Sequence, residues 1–160
     1  MKKIKKLLEK IFPVESSPQS AAIIMTLGAS MAFSPFWGLQ TWLLFPLSWM
    51  FHVNPTGPIA LLYLINNPWT MLPLAALEYY VGHFITEKIL HVDLVPYNPS
   101  WMTWVNAKLT SCLSKYIGTA ELSLWSFLLG GLVLGIIVAA ITYPCSLYLF
   151  NYMRRRKEHQ

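Results

Sequence analysis

The chain has 160 residues, of which 55% are hydrophobic and 12% are charged, and its net charge is +5. A soluble domain normally has about a quarter of its residues charged, and one core of this size could not bury so much apolar surface. Composition therefore excludes an ordinary soluble domain and predicts an integral membrane protein, with a soluble helical bundle as the remote alternative.

Basic residues are concentrated at the two ends of the chain, with lysines in residues 1–10 and Arg154–Lys157 near the other end. Nucleic-acid binding needs basic residues on a folded face with readout groups between them, and that pattern is absent. We therefore predict no nucleic-acid partner. By the positive-inside rule both termini lie in the cytoplasm, which requires an even number of full crossings. The same basic residues would contact anionic membrane lipids.

Residues 1–14 form the first predicted segment. Its apolar side chains, Ile4, Leu7, Leu8 and Ile11, recur at helical spacing among lysines. This pattern predicts an amphipathic helix on the cytoplasmic membrane surface, with an unstructured basic tail as the alternative.

Residues 15–86 form the predicted membrane domain, and residues 16–77 carry no charged side chain. Four apolar runs follow one another, at 19–33, 41–53, 58–65 and 71–85. A run of 15 residues reaches about 22 Å as a helix, which is short of the roughly 30 Å hydrocarbon core.

Two readings of these runs stay open: each pair forms a helical hairpin that enters the membrane and turns back, or each pair is one kinked crossing. Pro35, Gly38 and Pro68 shape the breaks between them. We favour two broken, re-entrant hairpins, because the breaks contain polar side chains that can cap half-helix ends inside protein.

Beyond the hairpins, residues 87–121 regain charges and predict an extramembrane or interfacial loop followed by a surface helix near 101–117. Residues 122–153 predict a conventional C-terminal transmembrane helix, in which Gly131 and Gly135 permit close helix packing. Residues 154–160 are the basic cytoplasmic tail. The predicted fold class is thus an all-α integral membrane protein.

Four polar residues at the breaks, Gln40, Thr41, Asn67 and Thr70, are the candidate substrate-binding residues. The N-termini of half-helices carry partial positive charge and can hold a phosphate or carboxylate. Discontinuous helices at mid-membrane are also a sequence sign of a transporter site. The alternative is that these side chains only satisfy the broken backbone.

Glu78 is the one acidic residue in the apolar stretch, and with His83 it could relay protons. Both residues could instead reach the membrane interface. No metal-ligand spacing, cofactor loop or partnered nucleophile is present, so we predict no metal, no cofactor and no enzymatic activity.

At these residues the chain resembles the DUF2062 family of small bacterial membrane proteins. The resemblance covers roughly residues 15–150 and rests on Ser17-Pro18, Pro35-x-x-Gly38-x-Gln40-Thr41, Asn67-Pro68-x-Thr70, Pro73 and Tyr80-x-Gly82. Glu78 and the segment 54–58 do not match the family pattern. The resemblance implies a multi-pass protein of the bacterial inner membrane. Fusions of some relatives to glycosyltransferase-like domains imply a link to lipid-linked sugar or envelope metabolism.

Three functions follow from these patterns. The first is transport of a small or lipid-linked anionic solute, with proton coupling through Glu78 as an option, by a homo-oligomer because the chain is small. The second is a non-catalytic scaffold or accessory subunit for an envelope enzyme that builds lipid-linked glycans. The third, an enzyme acting on lipid, has the least support.

Overall fold

The computed structural model describes residues 17–36, 38–92, 99–101 and 123–158. Throughout these residues every regular element is helical, which confirms the predicted all-α class. The elements are α1 (Pro18–Ala32), α2 (Gln40–Met50), α3 (Thr56–Ile65), α4 (Pro68–His83), a π-helical segment (Phe84–Ile89) and α5 (Leu124–Glu158). The amphipathic helix predicted in residues 1–14 lies outside the described residues, as does the surface helix near 101–117 except for Trp101.

One helix of the described chain, α5, is long and apolar enough to cross a membrane, over Leu124–Arg155. Its 32 residues reach about 48 Å, which exceeds the hydrocarbon core even when the helix is tilted. The helix continues through the basic residues to Glu158, past the predicted end of the span. Helix α3 and the α4–π-helical segment pass the same test only when taken together across their bent break, as a broken span or a re-entrant loop.

The chain divides into two compact units. The first unit contains α1, α2, α3 and the part of α5 from Gly135 onward. The second contains residues 33–36, α4, the π-helical segment and the part of α5 up to Leu134.

In the first unit α1 packs chiefly on α3 and also touches α2. Helix α1 starts as its sequence predicts, because the Ser17 hydroxyl accepts the N–H of Ser20 at 3.1 Å and Pro18 opens the first turn. Gly28 permits the close contact with α3, since a Cβ there would lie 2.8 Å from both Leu61 Cβ and the Pro58 carbonyl oxygen.

Helix α2 ends in a Schellman motif. The N–H of Val53 donates to the Ser48 carbonyl at 2.9 Å, and the N–H of His52 donates to the Trp49 carbonyl at 3.1 Å. The left-handed position of this motif, which usually takes glycine, is His52 with a φ of 53°. Val53 is buried beside the turn, so the motif also directs the chain back toward α3.

In the second unit α4 and α5 approach each other backbone to backbone. A Cβ on Gly82 would overlap the Ser126 carbonyl oxygen and lie 2.9 Å from the Gly130 nitrogen. A Cβ on Gly130 would in turn overlap the Glu78 carbonyl oxygen and lie 2.6 Å from the Gly82 nitrogen. Only glycine at both positions allows this contact, as in small-residue helix packing within membranes.

Candidate functional site

The first polar cluster joins the start of α2 to the end of α3. The side-chain amide of Asn66 donates to Gln40 Oε1 at 2.9 Å in a partly buried position. One residue further on, the hydroxyls of Thr41 and Tyr63 are 3.0 Å apart at an exposed position. Two pairs of polar side chains therefore link these helix ends, and they do so within the first unit.

The predicted substrate-binding residues occupy different parts of the chain. Gln40 and Thr41 belong to this first cluster, and Asn67 follows Asn66 directly in the same unit. Thr70 lies on α4 in the second unit, and both Asn67 and Thr70 are half-buried. The structure adds Tyr63 and Asn66 as the bonding partners of Gln40 and Thr41, and the binding role of all four residues stays a prediction.

The residues expected to shape the breaks lie where helices end. Gly38 has a φ of +84°, which a side chain would strain, although no atom lies within 4 Å of a Cβ built there. Pro68 begins α4, where its missing N–H costs no helical hydrogen bond. Pro35 is buried against α5, since a Cβ on Gly131 would lie 2.7 Å from its Cδ.

The second polar cluster is a buried seam between α4, with the π-helical segment that continues it, and the start of α5. It is made of Glu78, Thr86, Ser123 and Ser126. The side chain of Glu78 is fully buried, with 0% of its surface exposed. Glu78, Gly82 and Thr86 follow one another at intervals of four residues, which places them on one face of the helix. The Thr86 and Ser126 hydroxyls are 3.2 Å apart in the interior.

The seam passes through the π-helical segment, which contains Thr86. The Thr86 hydroxyl also donates to the His83 carbonyl at 3.2 Å, and the Thr86 carbonyl accepts the N–H of Val92 at 2.9 Å. Here the wider turn carries a buried hydroxyl to the partner helix.

His83 lies apart from Glu78 on the same helix. Its Nε2 is 3.2 Å from Glu87 Oε2, and its ring stacks on Tyr79 with the ring centroids 5.4 Å apart. Five residues separate His83 from Glu78, which places the two side chains about 140° apart around an α-helix. The proton relay through both residues therefore stays a prediction, and Glu87 is the partner of His83 that the sequence did not indicate.

Among the described residues, no group of three or more His, Cys, Asp or Glu side chains is placed to hold a metal ion. Cys145 is a free, exposed cysteine on α5.

One known protein family matches almost the whole chain. The sequence profile of DUF2062, described as "Uncharacterized protein conserved in bacteria", matches residues 1–159. The chain belongs to the DUF2062 family. No curated protein and no solved structure matches it. The resemblance inferred from the proline, glycine and amide motifs is therefore confirmed, and it extends beyond residues 15–150 to both ends of the chain.

The seam of this DUF2062 protein includes residues that sequence reasoning missed. Besides Gly131 and Gly135, the sequence contains Ser126-x-x-x-Gly130, which is also a small-residue pair. A second small-residue pair is formed by Gly82 at the end of α4 and Thr86 in the π-helical segment, four residues apart. Two small-residue faces in one chain could have indicated that these helices pack together.

Proposed function

We propose that this DUF2062 protein is a membrane transporter for a small or lipid-linked anionic solute, coupled to protons through Glu78. It acts as a homo-oligomer in the bacterial inner membrane, crosses it more than once and keeps both termini in the cytoplasm. It is not an enzyme, needs no cofactor or metal and binds no nucleic acid. The observation that carries the proposal is the complete burial of the Glu78 side chain beside the candidate membrane span.

Burial of an acidic side chain between two helices is unfavourable in free energy. A charged residue at membrane depth costs at least about 2.5 kcal/mol on insertion scales. Replacement of buried ionic groups by apolar side chains of similar size is often neutral or stabilising. The contact at Gly82 and Gly130 would hold without an acid at position 78. A buried acid in such a position is therefore better explained by a function such as binding and releasing a proton.

The polar ends of α2 and α3 supply the solute site in this proposal. Residues 16–77 carry no acidic side chain to repel an anion. Gln40 and Thr41 lie in the first turn of α2, the end of a helix that carries partial positive charge and favours anions. Asn67 follows the end of α3 in the same unit and adds a third polar side chain.

Proton flux into vesicles tests the proposal. The purified protein is reconstituted into vesicles that contain a pH-sensitive dye, and inorganic phosphate or a water-soluble phosphorylated lipid is added outside. We expect the wild type to change the internal pH together with solute uptake, and Glu78→Gln to abolish proton movement while folding normally. Glu158→Gln is the matched control, because it removes an acid at the C-terminal end of α5, outside the proposed relay. Proton movement by Glu78→Gln at the wild-type rate would remove Glu78 from the mechanism.

The second candidate function is a scaffold or accessory subunit for an enzyme that builds lipid-linked envelope glycans. The hydrogen bond between Asn66 and Gln40 favours it, because these amides at the breaks engage each other. A scaffold would hold a partner enzyme through purification in mild detergent and would carry no solute. Vesicles without uptake of either phosphate probe, together with co-purification of a glycan enzyme, would decide for this function.

A further inference from the structure

We propose that the outward face of α2 binds the headgroup region of a lipid bilayer, with α2 lying in the plane of the membrane. The aromatic face consists of Trp42, Phe45, Pro46 and Trp49. The proposal rests on the membrane location proposed above and concerns a surface distinct from the solute and proton sites. It differs from the predicted arrangement, in which residues 41–53 form one arm of a hairpin that enters the membrane.

The polarity of α2 is inverted relative to a helix on a water-soluble protein. Its buried residues are Gln40, Leu44 and Ser48, two of which are polar. Its outer face exposes large apolar rings, with Trp42 at 72% and Trp49 at 80% of their surface. A helix in water would orient these residues the other way. The inversion indicates that the medium outside α2 is less polar than water.

The two tryptophans indicate the depth of α2 in the membrane. Tryptophan is enriched at the membrane–water interface, where its apolar body and its N–H group are both accommodated. Trp42 and Trp49 are seven residues apart, so they share a face and are separated by about 10 Å along the helix axis. A helix perpendicular to the membrane would hold only one of them at the headgroup level, whereas a helix in the membrane plane holds both.

Pro46 also fits an interfacial position. Proline has no N–H, so the helix cannot supply the usual hydrogen bond to the carbonyl of Trp42, four residues earlier. Pro46 is itself exposed, so this carbonyl lies toward the aromatic face. A backbone group without a partner costs several kcal/mol in hydrocarbon, but at the headgroup level water can satisfy it.

The aromatic face is matched to an uncharged lipid surface. No charged residue lies between positions 16 and 77, so the aromatic face offers nothing to attract an anionic headgroup. The rings of Trp42 and Phe45 lie 6.4 Å apart, so they form a preassembled apolar surface. We therefore assign the interface of a neutral bilayer, such as one of phosphatidylcholine, as the binding partner.

Depth measurement by spin labelling tests the assignment on the full-length protein. Cys112 and Cys145 are replaced by serine, and single cysteines are introduced by Trp42→Cys or Trp49→Cys for labelling. After reconstitution in phosphatidylcholine vesicles, the depth of each label is obtained from its collisions with oxygen and with a water-soluble nickel complex. Ile136→Cys and Tyr143→Cys form the matched control pair, because they are exposed on α5 with the same seven-residue spacing.

We expect the labels at positions 42 and 49 to lie at one shallow depth, within about 3 Å of each other. The two labels on α5 should differ in depth by nearly 10 Å, which is about the length of seven helical residues. A depth difference of about 10 Å on α2 would overturn the in-plane assignment. Labels inaccessible to both reagents would show that protein covers the face and would also overturn it. Equal depths of the two α5 labels would instead count against the membrane-spanning role of α5. The experiment therefore distinguishes a failure of the in-plane assignment of α2 from a failure of the proposed membrane location.

Discussion

Replacement of Gly82 by alanine is expected to force α4 and α5 apart and to destabilise the second unit. The added Cβ would overlap the Ser126 carbonyl oxygen and lie 2.6 Å from its carbonyl carbon, whereas nonbonded carbons prefer about 3.5–4.0 Å. Both obstacles are backbone atoms, so no side-chain rotation can remove the overlap. The helices must therefore separate by about 1 Å, which forfeits a quarter to a half of the dispersion energy along the contact.

The size of the effect can be worked from three contributions. Overpacking of a tight contact costs about 1–3 kcal/mol. Separation also breaks the 3.2 Å hydrogen bond between Thr86 and Ser126. Thr86 keeps its bond to the His83 carbonyl, but the buried Ser126 hydroxyl loses this partner, which costs roughly a further 1–3 kcal/mol. Alanine regains about 1 kcal/mol through its higher helix propensity. The net expectation is a loss of about 3 kcal/mol.

Unfolding in mixed detergent measures this loss. The protein is titrated with sodium dodecyl sulfate, tryptophan fluorescence reports tertiary structure, and circular dichroism reports helix content. Ser126→Ala is the matched control, because it removes the same hydrogen bond without adding volume, and it should cost only about 1–2 kcal/mol. Gly130→Ala should resemble Gly82→Ala, and the double variant should cost much less than the sum, since one alanine already separates the helices. A Gly82→Ala protein that unfolds within about 0.5 kcal/mol of the wild type would refute the backbone contact, because overpacking there costs at least about 1 kcal/mol.

Three further substitutions follow from single positions. Gly38→Ala should destabilise the protein by about 1 kcal/mol through its positive φ alone, because the space around it is open; an unchanged unfolding midpoint would contradict the strained turn. His52→Gly should stabilise by up to about 1 kcal/mol in the same unfolding assay, since glycine suits the left-handed position, and a loss of stability would show that the imidazole has a role there. Asn66→Ala should cost about 1–2 kcal/mol by removing a partner of Gln40, and a double-mutant cycle with Gln40→Ala should give a coupling of about 1 kcal/mol; zero coupling would argue against the 2.9 Å bond.

Much of the helical layout could be read from the sequence because local chemistry sets it. Ser17 and Pro18 begin α1, Pro68 begins α4, and Gly38 allows the positive φ that precedes α2. Each effect depends on the residue itself and its immediate neighbours in the chain. The absence of charge between 16 and 77 and the apolar length of α5 likewise need no tertiary information.

The candidate site was harder to predict because its contacts join residues far apart in the chain. Asn66 and Gln40 are separated by 26 positions, and Thr86 and Ser126 by 40. A polar residue at a break can bind a solute, cap a helix or form a hydrogen bond to a residue at another break. The residue type alone does not show which of these roles it has. The partner is decided only when the helices pack.

Glu78 is the clearest example of what the sequence determines and what only tertiary packing decides. The sequence alone determined that an acid lies in an otherwise uncharged apolar segment, and it left open whether that acid reaches the membrane interface or the interior. Tertiary structure placed it in the interior, because Gly82 and Gly130 bring α4 and α5 into backbone contact and close the space around position 78. Composition thus indicates a membrane protein, and local propensity determines where the helices form. Which side chains are buried depends on which helix surfaces pack together.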